Sequence, residues 1–247
     1  MTLGNDLSPK TLRLLPGLDG TGNLFTNILS ALPPTLKARI VRYPTDRFLT
    51  YTELSSCVGD VIPTAEPFVV LAESFSTPLA VRLAATRPPN PAGLVICAGF
   101  ITNPLDGWLR HMKALVRPSL FRVSPPGFII DYFLIGARAP HELRDAVRQT
   151  LRCVSPEVLV LRVRAVIACD AREELVQVRV PILYLQAKHD RLVKAPMDRL
   201  TTNRRDKASL SGPRCTRFQY QTGPSIPAHR RKCGLADCWE SSACKFR

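Results

Sequence analysis

A serine at the end of an apolar run has the surroundings of a reactive hydroxyl group. The sequence 71–80 reads LAESFSTPLA, and the apolar residues that lead into it predict a buried strand. Ser74 follows this strand and precedes a helix-like pattern, so its side chain is expected on a sharp turn. Ala72 and Ser76 are both small, as a close approach of strand and helix requires at these positions. The segment therefore predicts a nucleophile at Ser74.

Alternatives to this interpretation remain open. The usual pattern around such a nucleophile is G-x-S-x-G, and here Ala72 and Ser76 replace the two glycines. Ser74 can instead be the residue that caps the following helix. Ser76 is a weaker candidate nucleophile, because Pro78 would then occupy the crowded position two residues after it.

A glycine-rich segment follows the first predicted strand. Residues 16–22 read PGLDGTG and open a helix-like stretch. The backbone N–H groups of such a loop can point at an anion that forms on a substrate. The G-x-x-x-x-G-K-[ST] and G-x-G-x-x-G patterns of phosphate-binding loops are both absent. An anion-stabilising loop is favoured over a phosphate site, and an ordinary tight turn is the other alternative.

Strands and helices alternate through the first hundred residues. Aliphatic and β-branched runs predict the strands, and helical spacing of apolar residues predicts the helices between them. The predicted strands are residues 11–15, 38–43, 67–72 and 92–98, and the predicted helices are residues 23–32, 52–62 and 76–86. This alternation indicates an α/β fold with a mostly parallel sheet and helices on both faces.

A helical insertion interrupts the sheet. The strand pattern stops near residue 103, helical stretches separated by prolines follow, and a buried strand returns at residues 181–186. An insertion at this point would lie over the carboxyl ends of the strands, where open α/β sheets bind ligands. The predicted organisation is a first core segment at 1–102, a helical cap at 103–178, an acid-bearing core segment at 179–201 and an atypical basic, Cys-rich tail at 202–247.

The PGLDGTG loop, the AESFS segment, the helical insertion and the segment YLQAKHDRLV together resemble the α/β-hydrolase family. The resemblance covers roughly residues 11–200. It implies that Ser74 is the nucleophile, that Asp190 is the acid, and that the backbone N–H groups of Leu18 and Phe75 form the oxyanion hole. It also implies a serine hydrolase of a small-molecule ester or thioester, with no metal ion and no organic cofactor.

The catalytic histidine is where the sequence departs from the family pattern. The resemblance implies the chain order serine, acid, histidine, and of the four histidines only His229 follows Asp190. His111 and His141 lie in the predicted cap, and His189 is adjacent to Asp190. Basic neighbours of His229 oppose protonation of its imidazole. His229 is therefore the candidate base, and a catalytically impaired protein of the same fold is the alternative.

The charge and composition of the chain change near its C-terminal end. Residues 201–247 hold ten Lys or Arg and three Asp or Glu, and they contain few of the aliphatic residues that a final strand and helix would need. Two interpretations stay open, a disordered basic tail and a shifted reading frame. Read one base later, the codons of residues 224–228 can encode His, then any of Leu, Pro, Gln or Arg, and then Phe, Leu and Leu. No nucleic-acid motif accompanies the charge, so no nucleic-acid partner is expected.

Cysteine usage and hydropathy predict a cytoplasmic protein. The eight cysteines form no CxxC pair, and Cys57, Cys97, Cys153 and Cys169 lie in apolar or periodic segments that predict buried thiols in a reducing compartment. The first ten residues lack the apolar core of a signal peptide, and no run approaches the roughly 18 apolar residues of a membrane span. We therefore expect no membrane span, and the sequence does not predict an oligomeric state.

Overall fold

A six-stranded parallel sheet organises the part of the chain that the structure describes. The structure is a computed structural model that describes residues 11–63, 65–105, 141–187 and 215–220. The strands are β1 (Thr11–Leu15), β2 (Lys37–Ile40), β3 (Phe68–Glu73), β4 (Pro91–Cys97), β5 (Ile182–Ala187) and β6 (Cys215–Tyr220). Their order in the sheet is β2-β1-β3-β4-β5-β6, with parallel pairing throughout. The predicted α/β fold class is confirmed.

Helices connect the strands at the predicted places. They are α1 (Thr26–Ala31), α2 (Tyr51–Gly59), α3 (Thr77–Ala85), α4 (His141–Arg152), α5 (Pro156–Ile167) and α6 (Arg172–Gln177), with short 3-10 helices at Asn23–Phe25 and Ser74–Ser76. The start of α2 is fixed by a capping box, in which Thr50 and Glu53 each bond the other's backbone N–H group. Ser155 accepts from the Val158 N–H group at the start of α5.

The central strands are buried on both faces, because helices cover the sheet from both sides. In β3, Val70 and Ala72 belong to a core with residues of α2 and α3, whereas Val69 and Leu71 belong to a second core with Phe25. A strand that is buried on both sides reads as a continuous apolar run instead of an alternating pattern. Because β3 ends at Glu73, the next residue, Ser74, lies at the carboxyl edge of the sheet.

The helices between β4 and β5 make two different kinds of contact. Helix α6 packs against α3, and an ion pair of 3.0 Å between Arg82 and Glu174 joins the two helices. Helix α5 begins with Val158 and Leu159 in a small apolar cluster against Leu18, which lies in the loop after β1. The helical segment is therefore in direct contact with the glycine-rich loop. The predicted cap boundaries at residues 103 and 178 stay a prediction.

Strand β6 corrects one expectation from the sequence, namely that residues 202–247 would supply no final strand. Its backbone pairs with β5 over the full length of both strands, from Cys215 opposite Ile182 to Tyr220 opposite Ala187. The expectation rested on aliphatic residues and Phe, whereas Thr and Tyr also favour strands. The sequence TRFQY alternates such residues with polar ones, which is the pattern of a half-buried strand.

The burial of the cysteines also differs from expectation. Cys169 is buried and Cys97 is half-buried, but Cys57 and Cys153 are exposed, so the prediction of buried thiols is wrong for these two. Cys57 lies on α2 one residue before the buried Val58, and consecutive helical residues point about 100° apart. Within the described ranges, no helix has the length and apolar character that crossing a membrane would require.

Candidate active site

Ser74 occupies the turn between β3 and α3, as the sequence predicts. It is half-buried, it is the first residue of the 3-10 helix Ser74–Ser76, and its φ of +43° lies in the left-handed region. A non-glycine residue in this region is costly and persists where the surrounding structure holds it. The N-cap residues of the 3-10 helix and of α3 are Glu73 and Ser76. Ser74 is therefore not the capping residue that the alternative interpretation requires.

The small residues on either side of Ser74 are fully buried. Ala72 lies opposite Leu15 of β1 and has no exposed surface. Ser76 donates its hydroxyl hydrogen to the Pro16 carbonyl oxygen, and the Tyr43 hydroxyl group lies 2.6 Å from the Ser76 oxygen. Because a serine hydroxyl group has a single hydrogen, Tyr43 is the donor to Ser76. The Ser76 hydroxyl is thus a structural group that connects two loops.

The glycine-rich loop lies beside the Ser74 turn, because β1 and β3 are neighbours in the sheet. The Gly20 N–H group donates to the Gly17 carbonyl oxygen at 3.1 Å. In a trans peptide the carbonyl and the N–H group point in opposite directions, so the Leu18 N–H group points away from that bond. Phe75 is the second residue of a helix, and its N–H group has no acceptor within the helix. The two predicted oxyanion donors thus belong to adjacent backbone segments.

The Asp19 carboxylate organises the far end of this loop. It accepts hydrogen bonds from the Thr21 N–H group at 2.7 Å, from the Thr21 hydroxyl group and from the Gly22 N–H group at 3.3 Å. Asp19 is buried, and its Oδ1 atom already occupies these two backbone N–H groups. This arrangement argues against the phosphate-binding alternative, because a phosphate group would compete with a fixed negative charge for the same donors.

Glu73 is a second carboxyl group against the loop. The Gly17 N–H group donates a hydrogen bond to it, and a Cβ atom on Gly17 would lie only 3.2 Å from the carboxyl carbon. Burial and, to a smaller extent, the nearby Asp19 charge together raise the Glu73 pKa to about 7, against the opposing effect of the Gly17 hydrogen bond. The residue directly before Ser74 therefore titrates near neutral pH.

Aromatic side chains pack around Phe75, the residue that follows Ser74 on the turn. The Phe75 ring is buried, stacks on Tyr51 with ring centres 5.0 Å apart and meets the Tyr43 ring edge-on at 6.2 Å. The Tyr51 hydroxyl group donates to the Phe75 carbonyl oxygen at 2.9 Å. Burial raises the pKa of Tyr43 and of Tyr51 far above the ordinary value, so both hydroxyl groups stay protonated donors.

Arg162 is the site residue that the sequence interpretation missed. Its guanidinium group comes from α5 and donates to the carbonyl oxygens of Leu18, Asp19 and Pro44 at 2.8, 2.7 and 2.8 Å. Only 2% of its surface is exposed, and burial lowers its pKa. The sequence does contain a signal for this residue, because Arg162 is the one cation in the apolar helix segment VLVLRV. A charged side chain in a buried segment needs hydrogen-bond partners.

The structure brings together part of the predicted site. Ser74, Leu18 and Phe75 lie on adjacent segments at the carboxyl edge of β1 and β3, whereas Asp190 and His229 lie outside the described residues. His141 is the exposed first residue of α4. In the part of the chain that the structure describes, no group of three or more His, Cys, Asp or Glu side chains could hold a metal ion.

Solved structures of other proteins share the fold of this chain, although its sequence matches no known family. No protein-family model matches the chain, and no curated protein has a matching sequence. Among solved structures, the chain is similar to MenH from S. aureus, with 12% identity, a TM-score of 0.66, and coverage of 95% of this chain and 92% of that one. It is also similar to a hydrolase from Oleispira antarctica, with 12% identity, a TM-score of 0.68, and coverage of 86% of this chain and 83% of that one. A hydrolase from Pseudomonas aeruginosa PA01 has 19% identity and a TM-score of 0.63, with coverage of 95% of this chain and 88% of that one. At these identities the likeness establishes the fold.

Proposed function

This chain has the α/β-hydrolase fold, and we propose that it is a serine hydrolase that cleaves carboxylic esters or thioesters through an acyl-enzyme. The observation that carries the proposal is the geometry of Ser74, a half-buried serine with a φ of +43° on the turn between β3 and α3. Strain of this kind is found at functional sites, where the surrounding structure sustains it. The turn also adjoins a loop that can stabilise an oxyanion.

The proposed reaction begins with attack by the Ser74 hydroxyl oxygen on the substrate carbonyl carbon. A general base takes the hydroxyl proton, and the carbonyl electron pair moves to oxygen, where the N–H groups of Leu18 and Phe75 hold the negative charge. Collapse of this intermediate breaks the bond to the alcohol or thiol, which leaves with the proton from the base. Water then attacks the acyl group on Ser74 in the same way and releases the carboxylic acid.

The base and the acid of this reaction are proposals that rest on the family resemblance. His229 is the candidate base and Asp190 the residue that would orient it, as serine, acid and histidine follow one another in that order. The proposed reaction uses no metal ion and no organic cofactor, and its substrate is a small-molecule ester or thioester. Without a competent base the same fold would bind substrates but turn them over very slowly.

Labelling with a fluorophosphonate probe tests the nucleophile. The full chain should form one covalent adduct, because the activated serine attacks phosphorus and expels fluoride. Ser74→Ala should abolish labelling, and Ser56→Ala, which changes an exposed serine on α2, should leave it intact. Labelling that persists in Ser74→Ala would show that another residue is the nucleophile. A folded wild-type chain that neither labels nor hydrolyses p-nitrophenyl esters would instead support the impaired alternative.

A further inference from the structure

We propose that Arg162 is a positioning residue for the reaction, which fixes the oxyanion-stabilising loop from the helical segment between β4 and β5. The inference rests on the proposed function, because it assigns a role within that same site. Its basis is the set of hydrogen bonds from one buried guanidinium group to the carbonyl oxygens of Leu18, Asp19 and Pro44.

The first step concerns the direction of the Leu18 N–H group. The carbonyl on the N-terminal side of this group, that of Gly17, accepts from the Gly20 N–H group. The carbonyl on its C-terminal side, that of Leu18 itself, accepts from Arg162 at 2.8 Å. With both flanking carbonyl groups held, the backbone dihedral angles at Leu18 have little freedom. Arg162 therefore sets one of the two constraints that aim the N–H group.

The second step concerns the rest of the loop. The Asp19 carbonyl oxygen also accepts from Arg162, and the next carbonyl, that of Gly20, accepts from the Tyr43 N–H group at 2.8 Å. The second guanidinium nitrogen of Arg162 bonds the Pro44 carbonyl oxygen, one residue after Tyr43. One side chain thus joins the loop after β1 to the segment after β2. Substitution would remove the side-chain contacts to both segments and leave the backbone bond between Tyr43 and Gly20 as their direct link.

The third step concerns why arginine is required. The acceptors are neutral carbonyl groups arranged around a planar fork, and the guanidinium carbon also lies 5.8 Å from the centres of the Tyr43 and Phe75 rings. A lysine ammonium group is a point charge and cannot reach acceptors on both sides with fixed geometry. Gly20 leaves room for the fork, because a Cβ atom there would lie 2.6 Å from a guanidinium nitrogen.

Kinetics per active site test this role. Fluorophosphonate titration counts the competent sites, and Arg162→Met and Arg162→Lys are then compared with wild type in ester hydrolysis. We expect Arg162→Met to lower kcat by about 10-fold to 100-fold with little change in KM, because loss of an oxyanion donor itself costs about 100-fold to 1000-fold. The kcat of Arg162→Lys should lie between those of wild type and Arg162→Met. The affinity for an alkyl boronic acid, which mimics the tetrahedral intermediate, should fall in proportion to kcat/KM.

A merely structural role would not produce this pattern. Val58→Ala shortens a fully buried side chain of α2, two turns along the helix from Tyr51, which bonds Phe75. It lowers stability but removes none of the hydrogen bonds that hold the loop. Its kcat per titrated site and its boronic acid affinity should match wild type. If Arg162→Met does not fold, Arg162→Lys supplies the comparison. Unchanged kcat and boronic acid affinity in the Arg162 variants, or an equal loss in Val58→Ala, would overturn the proposal.

Hydrogen exchange separates failure of this inference from failure of the proposed function. The amides of Gly20 and Tyr43 bond within the loop region, and the amide of Val41 bonds Leu14 of β1. In Arg162→Met we expect the first two to exchange about 10-fold faster or more, relative to Val41. Unchanged exchange at Gly20 and Tyr43 would reject the positioning role even in a chain without turnover. Faster exchange in a chain that neither labels nor hydrolyses esters would reject only the proposed function.

Discussion

The Ser76 hydroxyl group donates a hydrogen bond to the Pro16 carbonyl oxygen, and so connects the turn after β3 to the loop after β1. The usual nucleophile turn has glycine at this position, where only a small residue fits. Here the serine fills the position and adds a bond that glycine cannot make. Tyr43 extends the connection by donating to the Ser76 hydroxyl oxygen, and Pro16, Tyr43 and Ser76 are all buried.

Ser76→Ala should therefore destabilise the fold beyond the loss of one bond. It leaves the Pro16 carbonyl and the Tyr43 hydroxyl groups without their partner, and each buried unpaired group costs about 1 to 3 kcal/mol. We expect a loss of about 2 kcal/mol in the free energy of unfolding, measured by urea denaturation. In a double-mutant cycle with Tyr43→Phe, the losses should be less than additive. Additive losses would show that the two hydroxyl groups do not interact.

Gly22→Ala should destabilise the loop that carries the proposed oxyanion donor. Gly22 has a φ of +73°, and a Cβ atom there would lie 2.3 Å from the Cγ2 atom of Ile40. Backbone strain and overlap together should cost about 2 kcal/mol or more in unfolding free energy. Gly59→Ala is the matched control, because an added Cβ atom meets nothing within 4 Å at the end of α2. Equal effects of the two substitutions would refute the expectation.

Glu73 should make stability decrease as pH rises towards neutrality. Its pKa rises from 4.5 to about 7 on folding, so the folded chain binds the proton more tightly. This contribution is fully present below pH 4.5 and is lost as pH rises through 7. Solvent screening of a half-buried residue reduces its size to on the order of 2 kcal/mol. Urea denaturation across this range measures it.

Glu73→Gln is the control for this pH dependence. The amide keeps the size of the side chain and an oxygen acceptor for the Gly17 N–H group, but it does not titrate. The difference in unfolding free energy between wild type and the variant should change with pH between 4.5 and 7, and level off outside that range. A constant difference would mean that the Glu73 pKa is not raised.

The sequence predicts the fold because its strands and helices have strong local patterns. The continuous apolar run that becomes β3 and the helical spacing that becomes α3 place Ser74 on a turn without any long-range information. The glycines of residues 16–22 likewise predict a loop, and two of them, Gly20 and Gly22, have positive φ values. Local chemistry is therefore enough to predict these two segments of the site.

Long-range contacts are what the sequence patterns do not contain. Arg162 bonds Leu18 across 144 positions, and the apolar segment around Arg162 gives no indication of which groups it bonds. The contact between Tyr43 and Ser76 spans 33 positions and joins two residue types that are common on surfaces. Strand β6 was missed for a different reason: the expectation counted aliphatic residues and Phe, whereas Thr and Tyr also favour strands.

Capture of the acyl-enzyme tests the central claim most directly. The full chain is mixed with p-nitrophenyl acetate, quenched in acid within the first turnover, and digested for mass spectrometry. The account predicts one acetyl group on the peptide that contains Ser74, formed in step with a burst of p-nitrophenol, and no such adduct in Ser74→Ala. Hydrolysis without an adduct at Ser74, or an adduct that persists in Ser74→Ala, would contradict it.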